Sequence, residues 1–142
     1  MDPRHERADV LPPLSSADAL VRAGEPAGDS STGEMRAKIA NAMVGLKKEH
    51  FGRGPTAAKA WLLDDYVFVA MEGGLTRNEE TLLAAGRESV VRAYRLTFQE
   101  VVGQTTSQAI EEITGRKVAN YHSQIVFNPT RAFEIFLLEP ER

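Results

Sequence analysis

The sequence predicts an α+β domain with the element order α-β-β-α-β-β, in which four mainly antiparallel strands form one sheet and two main helices cover one of its faces. Two apolar stretches repeat with helical spacing, and four shorter stretches are rich in β-branched, aromatic and aliphatic residues. The links between paired strands are short, which favours antiparallel hairpins. Because both helices are expected on one side, the opposite face of the sheet is expected to be partly open.

Residues 1–33 are predicted to be a disordered N-terminal tail, and residues 34–142 to be the folded domain. The tail contains four of the seven prolines and no sustained apolar period, so it cannot bury enough surface to offset the entropy lost on ordering. Its six acidic and three basic residues also account for the net charge of −3, because residues 34–142 carry fourteen of each sign.

The first helix is predicted to begin at Ser31, whose spacing to Glu34 matches a capping box. Five apolar residues then form one helical stripe: Met35, Ile39, Ala42, Met43 and Leu46. Lys47 falls elsewhere on the helical wheel. The helix is expected to end near Phe51, because the sequence that follows, Gly52-Arg53-Gly54-Pro55, supplies helix-terminating glycines and a proline.

Four strands are predicted from the runs of β-branched and aromatic residues, at 57–63, 66–72, 118–127 and 132–138. Asp64-Asp65 forms the turn of the first hairpin, and residues 128–130 form the turn of the second. A pair of acidic residues at a hairpin tip is ordinary turn chemistry, so we interpret these two carboxylates as structural.

The second helical region is predicted to start with another capping box, made by Thr76 and Glu79. Gly86 separates a short helix at 77–85 from a long one that ends at Gly115. Eight residues of the long helix form a continuous stripe: Val90, Tyr94, Phe98, Val101, Val102, Thr105, Ala109 and Ile113. A kink near Gly103 is the alternative to one unbroken helix.

This long helix is expected to extend beyond the sheet, because its length of about 42 Å exceeds the roughly 25 Å of a strand of seven or eight residues. An overhanging apolar helix and an open sheet face both leave apolar surface in water. A twofold homodimer would cover them, so we expect two chains to associate.

Several functional classes are disfavoured by composition. The absence of cysteine excludes thiol chemistry and zinc–thiolate sites, and we find no catalytic or metal-ligand constellation and no cofactor motif. The longest apolar run, at 66–71, is far below the roughly 18 residues of a membrane span, so we predict a soluble, cytoplasmic protein without direct membrane insertion. The neutral domain disfavours nucleic-acid binding.

Six short motifs, in order, resemble the MpsC-like family, formerly a bacterial domain of unknown function. They are Ala40-Asn41-Ala42, Gly52-Arg53-Gly54-Pro55, Asp64-Asp65, Gly74-Leu75-Thr76, Ile113-Thr114-Gly115 and His122-Ser123. The resemblance covers about residues 34–138. The family name refers to a Na+-translocating, membrane-potential-generating system connected with inorganic carbon supply. The resemblance therefore implies an accessory or regulatory role beside a membrane complex, because this chain has no apparent span of its own. Members often carry an acid after His-Ser, where this chain has Gln124.

The candidate ligand site consists of Arg53, the backbone amides of Gly52 and Gly54, and His122. A guanidinium and free amides can hold a small anion such as bicarbonate, formate or phosphate. The structural alternative is that the two glycines end the helix and Arg53 points to solvent or to the last carbonyls.

Three functions follow from these observations. The leading hypothesis is a non-enzymatic, homodimeric accessory or regulatory protein, possessing no catalytic residue and linked to a membrane ion or inorganic-carbon transport system. The second is a sensor of a small anion. The third is an enzyme whose site lies at the dimer interface and combines His122 and Ser123 with a carboxylate of the other chain, although neighbouring residues on a strand point to opposite faces.

Overall fold

The computed structural model describes residues 30–141. Residues 1–29 of the predicted disordered tail lie outside the described residues, whereas residues 30–33 are helical, so the predicted boundary between tail and domain at residue 34 is too late. The elements are α1 (Ser30–Phe51), β1 (Ala57–Leu63), β2 (Tyr66–Glu72), α2 (Arg77–Ala84), α3 (Glu88–Thr114), β3 (Val118–Val126) and β4 (Arg131–Leu138). Within this part of the chain, no helix combines the length and the apolar character that crossing a bilayer demands.

The four strands form one sheet in the order β1-β2-β4-β3, and every neighbouring pair is antiparallel. The two hairpins therefore meet through their second strands, β2 and β4. Helix α1 lies over β1, and α3 lies over β3, on the same side of the sheet. The predicted α+β class and the strand pairing are confirmed.

The core lies between the helices and the covered face of the sheet. Its fully buried members come from both layers: Ile39, Met43, Val67, Val69, Met71, Ile110 and Phe136. On β2 the covered positions alternate with Tyr66 and Phe68, which belong to the opposite, open face. Alternate residues of a strand thus face either the core under the helices or the open face of the sheet.

The helix ends follow the sequence signals closely. Thr76 caps α2, and both hydrogen bonds of the predicted capping box with Glu79 are present. Gly115 ends α3 in the left-handed conformation, with φ at 72°. Helix α3 continues through Gly103 for all of its 27 residues, which corresponds to about 40 Å. The helix is therefore not interrupted at Gly103.

Two helical predictions need correction. Ser31 already lies inside α1, which includes Ser30, so Ser31 is not the N-cap of this helix. The apolar stripe predicted on α3 is also not its buried face, since Val90, Tyr94 and Val101 are 49%, 49% and 78% exposed. The buried face is rotated by one residue and consists of Val91, Arg95, Gln99, Thr106 and Ile110. Hydrophobicity could not identify a buried face on which three of five residues are polar.

Candidate functional site

A charged pair lies in the core between the helices and the sheet. Lys47 of α1 places its Nζ atom 2.6 Å from Oε1 of Glu134 on β4, and the two side chains are 8% and 0% exposed. Lys47 lies off the apolar stripe predicted for α1, yet its side chain is buried. Burying two charges costs a large free energy of desolvation, so a buried ion pair is tolerated only when further hydrogen bonds support it.

Two polar groups complete the surroundings of Glu134. The Tyr121 hydroxyl lies 2.8 Å from Oε1 of Gln99 and 3.1 Å from Oε2 of Glu134, so its single proton can be donated to either acceptor. The Nε2 atom of Gln99 donates to Oε1 of Glu134 at 3.5 Å. The Tyr121 ring stacks on Phe136 with the planes 5° apart, which fixes the direction of its hydroxyl.

Arg95 of α3 forms a second buried pair beside the first. Its Nε and Nη2 atoms donate to the two oxygens of Glu79 at 2.5 Å each, and Nη2 also donates to the Gly74 carbonyl at 3.1 Å. The guanidinium carbon lies 3.8 Å from the centre of the Phe51 ring. Glu79 therefore caps α2 and binds α3 with the same carboxylate.

Burial and neighbouring charges shift three pKa values in this cluster. Burial lowers the pKa of Lys47, an effect that Glu134 opposes and Arg95 reinforces. Burial also raises the pKa of Glu79, but hydrogen bonds from Arg95 and Thr76 outweigh it and leave that pKa below its usual value. The pKa of Tyr121 is raised by burial and by the charge of Glu134, so the phenol remains protonated at neutral pH.

A cavity of about 100 Å³ opens beside the cluster, between α3 and the strands β3 and β4. Its lining consists of Lys47, Arg92, Arg95, Leu96, Gln99, Ser123, Gln124, Ile125 and Ala132. Lys47, Arg95 and Gln99 thus belong both to the buried cluster and to the cavity wall. We call this cavity, with its lining, the α3 cavity.

Arg53, the central residue of the predicted anion site, has its donors directed elsewhere. Its Nη1 atom donates to the Leu75 carbonyl and to Oε1 of Glu80, each at 3.0 Å. The Arg53 side chain is 58% exposed. This guanidinium therefore ties the loop after α1 to the start of α2, in addition to facing solvent.

The glycines around Arg53 have structural roles. The Gly52 amide donates to the Lys48 carbonyl at 2.8 Å and ends α1, with φ at +81°. Gly54 packs closely against α1 and against Gly74. A Cβ atom added to Gly74 would come within 3.1 Å of the Pro55 nitrogen. The Gly52 amide is thus already used within the fold, as the structural alternative predicts.

His122 is separate from Arg53. It lies on β3, on the open face of the sheet and opposite Ile135, and it is exposed. Ser123 lies on the other face, opposite Glu134. The structure therefore does not bring together the predicted ligand residues, and His122 and Ser123 of one chain cannot form a nucleophile–base pair. Within residues 30–141, no three His, Asp or Glu side chains are grouped as a metal site.

The buried cluster was not predicted from the sequence, although one signal was present. Along β4, Ala132, Glu134, Phe136 and Leu138 share one face by the period of two. Phe136 and Leu138 indicate that this face belongs to the core, which places Glu134 in the core as well. A carboxylate at such a position requires a cation or several donors, and Lys47 and Tyr121 meet that requirement.

Comparisons with known proteins agree with the family resemblance of the sequence motifs. The family model described as "Na+-translocating membrane potential-generating system (MpsC)" matches residues 31–140. The chain is also similar to "Uncharacterized protein YrhF" of Bacillus subtilis (strain 168), with 26% identity over 96 residues, which cover 66% of this chain and 79% of the relative. No solved structure matches. Since the family model spans nearly the whole described domain, the chain belongs to the MpsC family.

Proposed function

We propose that this chain is a non-enzymatic accessory or regulatory protein that works as a homodimer beside a membrane complex for ion or inorganic-carbon transport. The family description supports the association with a membrane-potential-generating system. The observation that carries the protein-binding role is the apolar character of the open face of the sheet.

The open face consists of cross-strand rows with aromatic and aliphatic side chains. In one row Trp61 lies beside Phe68, and Phe68 lies beside Ile135. The neighbouring row brings Leu63, Tyr66 and Leu137 together. Phe133 adds a further aromatic ring, and the exposed fractions of Leu63, Tyr66 and Phe133 are 48%, 44% and 39%. Contiguous apolar surface of this kind is typical of an interaction site.

A second copy of the chain is the occupant that we propose for this face. Residues 34–142 carry equal numbers of acidic and basic side chains, so two domains do not repel each other through net charge. Two apolar sheet faces can pack against each other as the layers of a β-sandwich do, about 10 Å apart. A twofold axis would then make each chain supply the same residues.

The oligomeric state tests this arrangement. We expect the full chain to sediment as a dimer and the Phe133→Glu variant to sediment as a folded monomer, because the glutamate would be buried without a partner in the dimer. Val101→Glu is the matched control, since Val101 is 78% exposed on α3 and lies away from the open face. A monomeric wild type contradicts the proposal, and a dimer broken only by Val101→Glu moves the interface to the outer surface of α3.

The link to a membrane system is tested in cells that carry the gene. We expect its deletion to lower the membrane potential, measured with a potential-sensitive dye under limiting inorganic carbon. The wild-type gene should restore the potential, and the Phe133→Glu gene should not. An unchanged membrane potential in the deletion strain would contradict the proposed association with a membrane system, whatever the oligomeric state.

A further inference from the structure

Three cationic side chains face the α3 cavity, and no carboxylate belongs to its lining. Lys47 and Arg95 are buried, whereas Arg92 is 44% exposed at the rim. The carboxylates that balance the two buried cations, Glu134 and Glu79, lie behind them and outside the lining. The wall of the cavity therefore carries three cations, and the carboxylates paired with them lie outside the lining.

Donors remain available toward this space. Lys47 has three N–H donors and uses one contact with Glu134, and Gln99 uses only one of its two amide hydrogens. Within residues 30–141 the Nη1 atom of Arg95 has no hydrogen-bond partner, because its contacts with Glu79 and Gly74 are made by Nε and Nη2. Ser123 adds a hydroxyl to the wall.

We propose that the α3 cavity binds a small carboxylate-type monoanion, of the size of formate, bicarbonate or acetate. A volume of about 100 Å³ equals that of roughly three water molecules and thus of a group of three or four heavy atoms. A planar anion matches the planar guanidinium of Arg95, which can donate in a fork. To turn inward, Arg92 would leave its exposed pair with Glu88 and its contact with the Phe127 ring, and surface interactions of both kinds contribute little stability.

This inference stands apart from the proposed homodimer, because the cavity and the open face lie on opposite sides of the sheet. It also differs from the Arg53 site, whose guanidinium already binds Leu75 and Glu80. The anion would contact α1, α3 and β3 at once through Lys47, Arg95 and Ser123, so binding would tighten the packing of both helices on the sheet.

The test is an NMR titration of the uniformly ¹⁵N-labelled full chain with sodium formate, bicarbonate and acetate, with sodium chloride at equal ionic strength as the reference. We expect saturable shifts of the Ser123 and Gln99 signals, about tenfold weaker binding in Arg92→Gln and none in Ser123→Leu, which fills the cavity. Arg53→Gln is the matched control, an exposed arginine in an ion pair elsewhere, and should bind like the wild type.

Several outcomes overturn the proposal. One is the absence of saturable shifts with all three anions. Another is an Arg92→Gln variant that binds the anions with unchanged affinity. Because Arg92 is exposed, this variant should fold, so the test remains valid even if Ser123→Leu does not fold. A third is a loss of anion binding in Arg53→Gln together with shifts of the Gly52 and Gly54 signals in the wild type. This result would mean that the anion binds at the loop after α1 and not in the α3 cavity. Dimerisation and membrane potential are separate readouts, so their failure is distinguishable from failure here.

Discussion

The covered and open faces of the same sheet each contain exceptions to the usual distribution of polar and apolar side chains. Under the helices, Glu134 is fully buried and pairs with Lys47, whereas Leu63 and Phe133 are partly in solvent on the open face. A domain selected only for stability would bury the apolar groups and expose the charged ones, because buried ion pairs contribute little net stability. Each face therefore carries side chains that stability alone does not explain: charged residues line a cavity on the covered face, and apolar residues are exposed on the open face.

The largest expected contrast is between two phenylalanines on β4. Phe136 is fully buried on the covered face, and Phe133 is 39% exposed on the open face. We expect Phe136→Ala to lower the free energy of unfolding by about 3–5 kcal/mol and Phe133→Ala by less than about 1 kcal/mol in the monomer. Urea unfolding at a fixed low protein concentration measures both, and equal losses would contradict the difference between the faces.

Breaking the buried pair should have an effect of nearly the same size. We expect Glu134→Gln to lower the free energy of unfolding by about 3–5 kcal/mol, because it leaves Lys47 charged and buried without a carboxylate. The control is the double variant Lys47→Met with Glu134→Gln, in which both charges are absent and most of the loss should be recovered. A double variant no more stable than Glu134→Gln would show that Lys47 does not depend on this partner.

A smaller, pH-dependent effect is expected at Glu79. Glu79→Gln should cost about 1.5–3 kcal/mol at neutral pH, since it weakens a charged hydrogen bond to Arg95. The folded pKa of Glu79 lies below the ordinary value of 4.5. The extra stability of the wild type is therefore full above pH 4.5 and is lost as the pH falls through the folded pKa. Thermal unfolding measured from pH 7 down to the acid range should show the stabilities of the wild type and of Glu79→Gln converging as the pH falls. A difference in stability that stays constant with pH would contradict this prediction.

The smallest effect is expected on the outer surface of α3. Val101→Gln should change the free energy of unfolding by no more than about 0.5 kcal/mol, because the side chain is 78% exposed and glutamine is a good helix former. The same urea series measures it. A larger loss, or a change in oligomeric state, would mean that this surface rather than the open sheet face is covered by another chain.

Much of the fold was predictable because its signals are local. The Asp64-Asp65 turn, the Thr76 capping box and Gly115 depend on residues within one turn of each other, and each determines where an element begins or ends. The period of two along each strand also indicates which of its residues share a face of the sheet. The candidate site was harder to predict from the sequence. Arg53 and His122 were selected because their side chains can bind an anion, but the fold places them apart.

The sequence by itself determined the order of the elements and the two hairpins, whereas the structure showed that the helix from Glu88 to Thr114 continues through Gly103. Only the tertiary structure decided which side of that helix is buried, because Arg95 and Gln99 become core residues when Glu79 and Glu134 arrive from other elements. The physical reason is distance along the chain. A capping box satisfies its donors within three residues, whereas the Lys47–Glu134 pair joins groups 87 positions apart, whose burial becomes tolerable only after the helices have packed on the sheet.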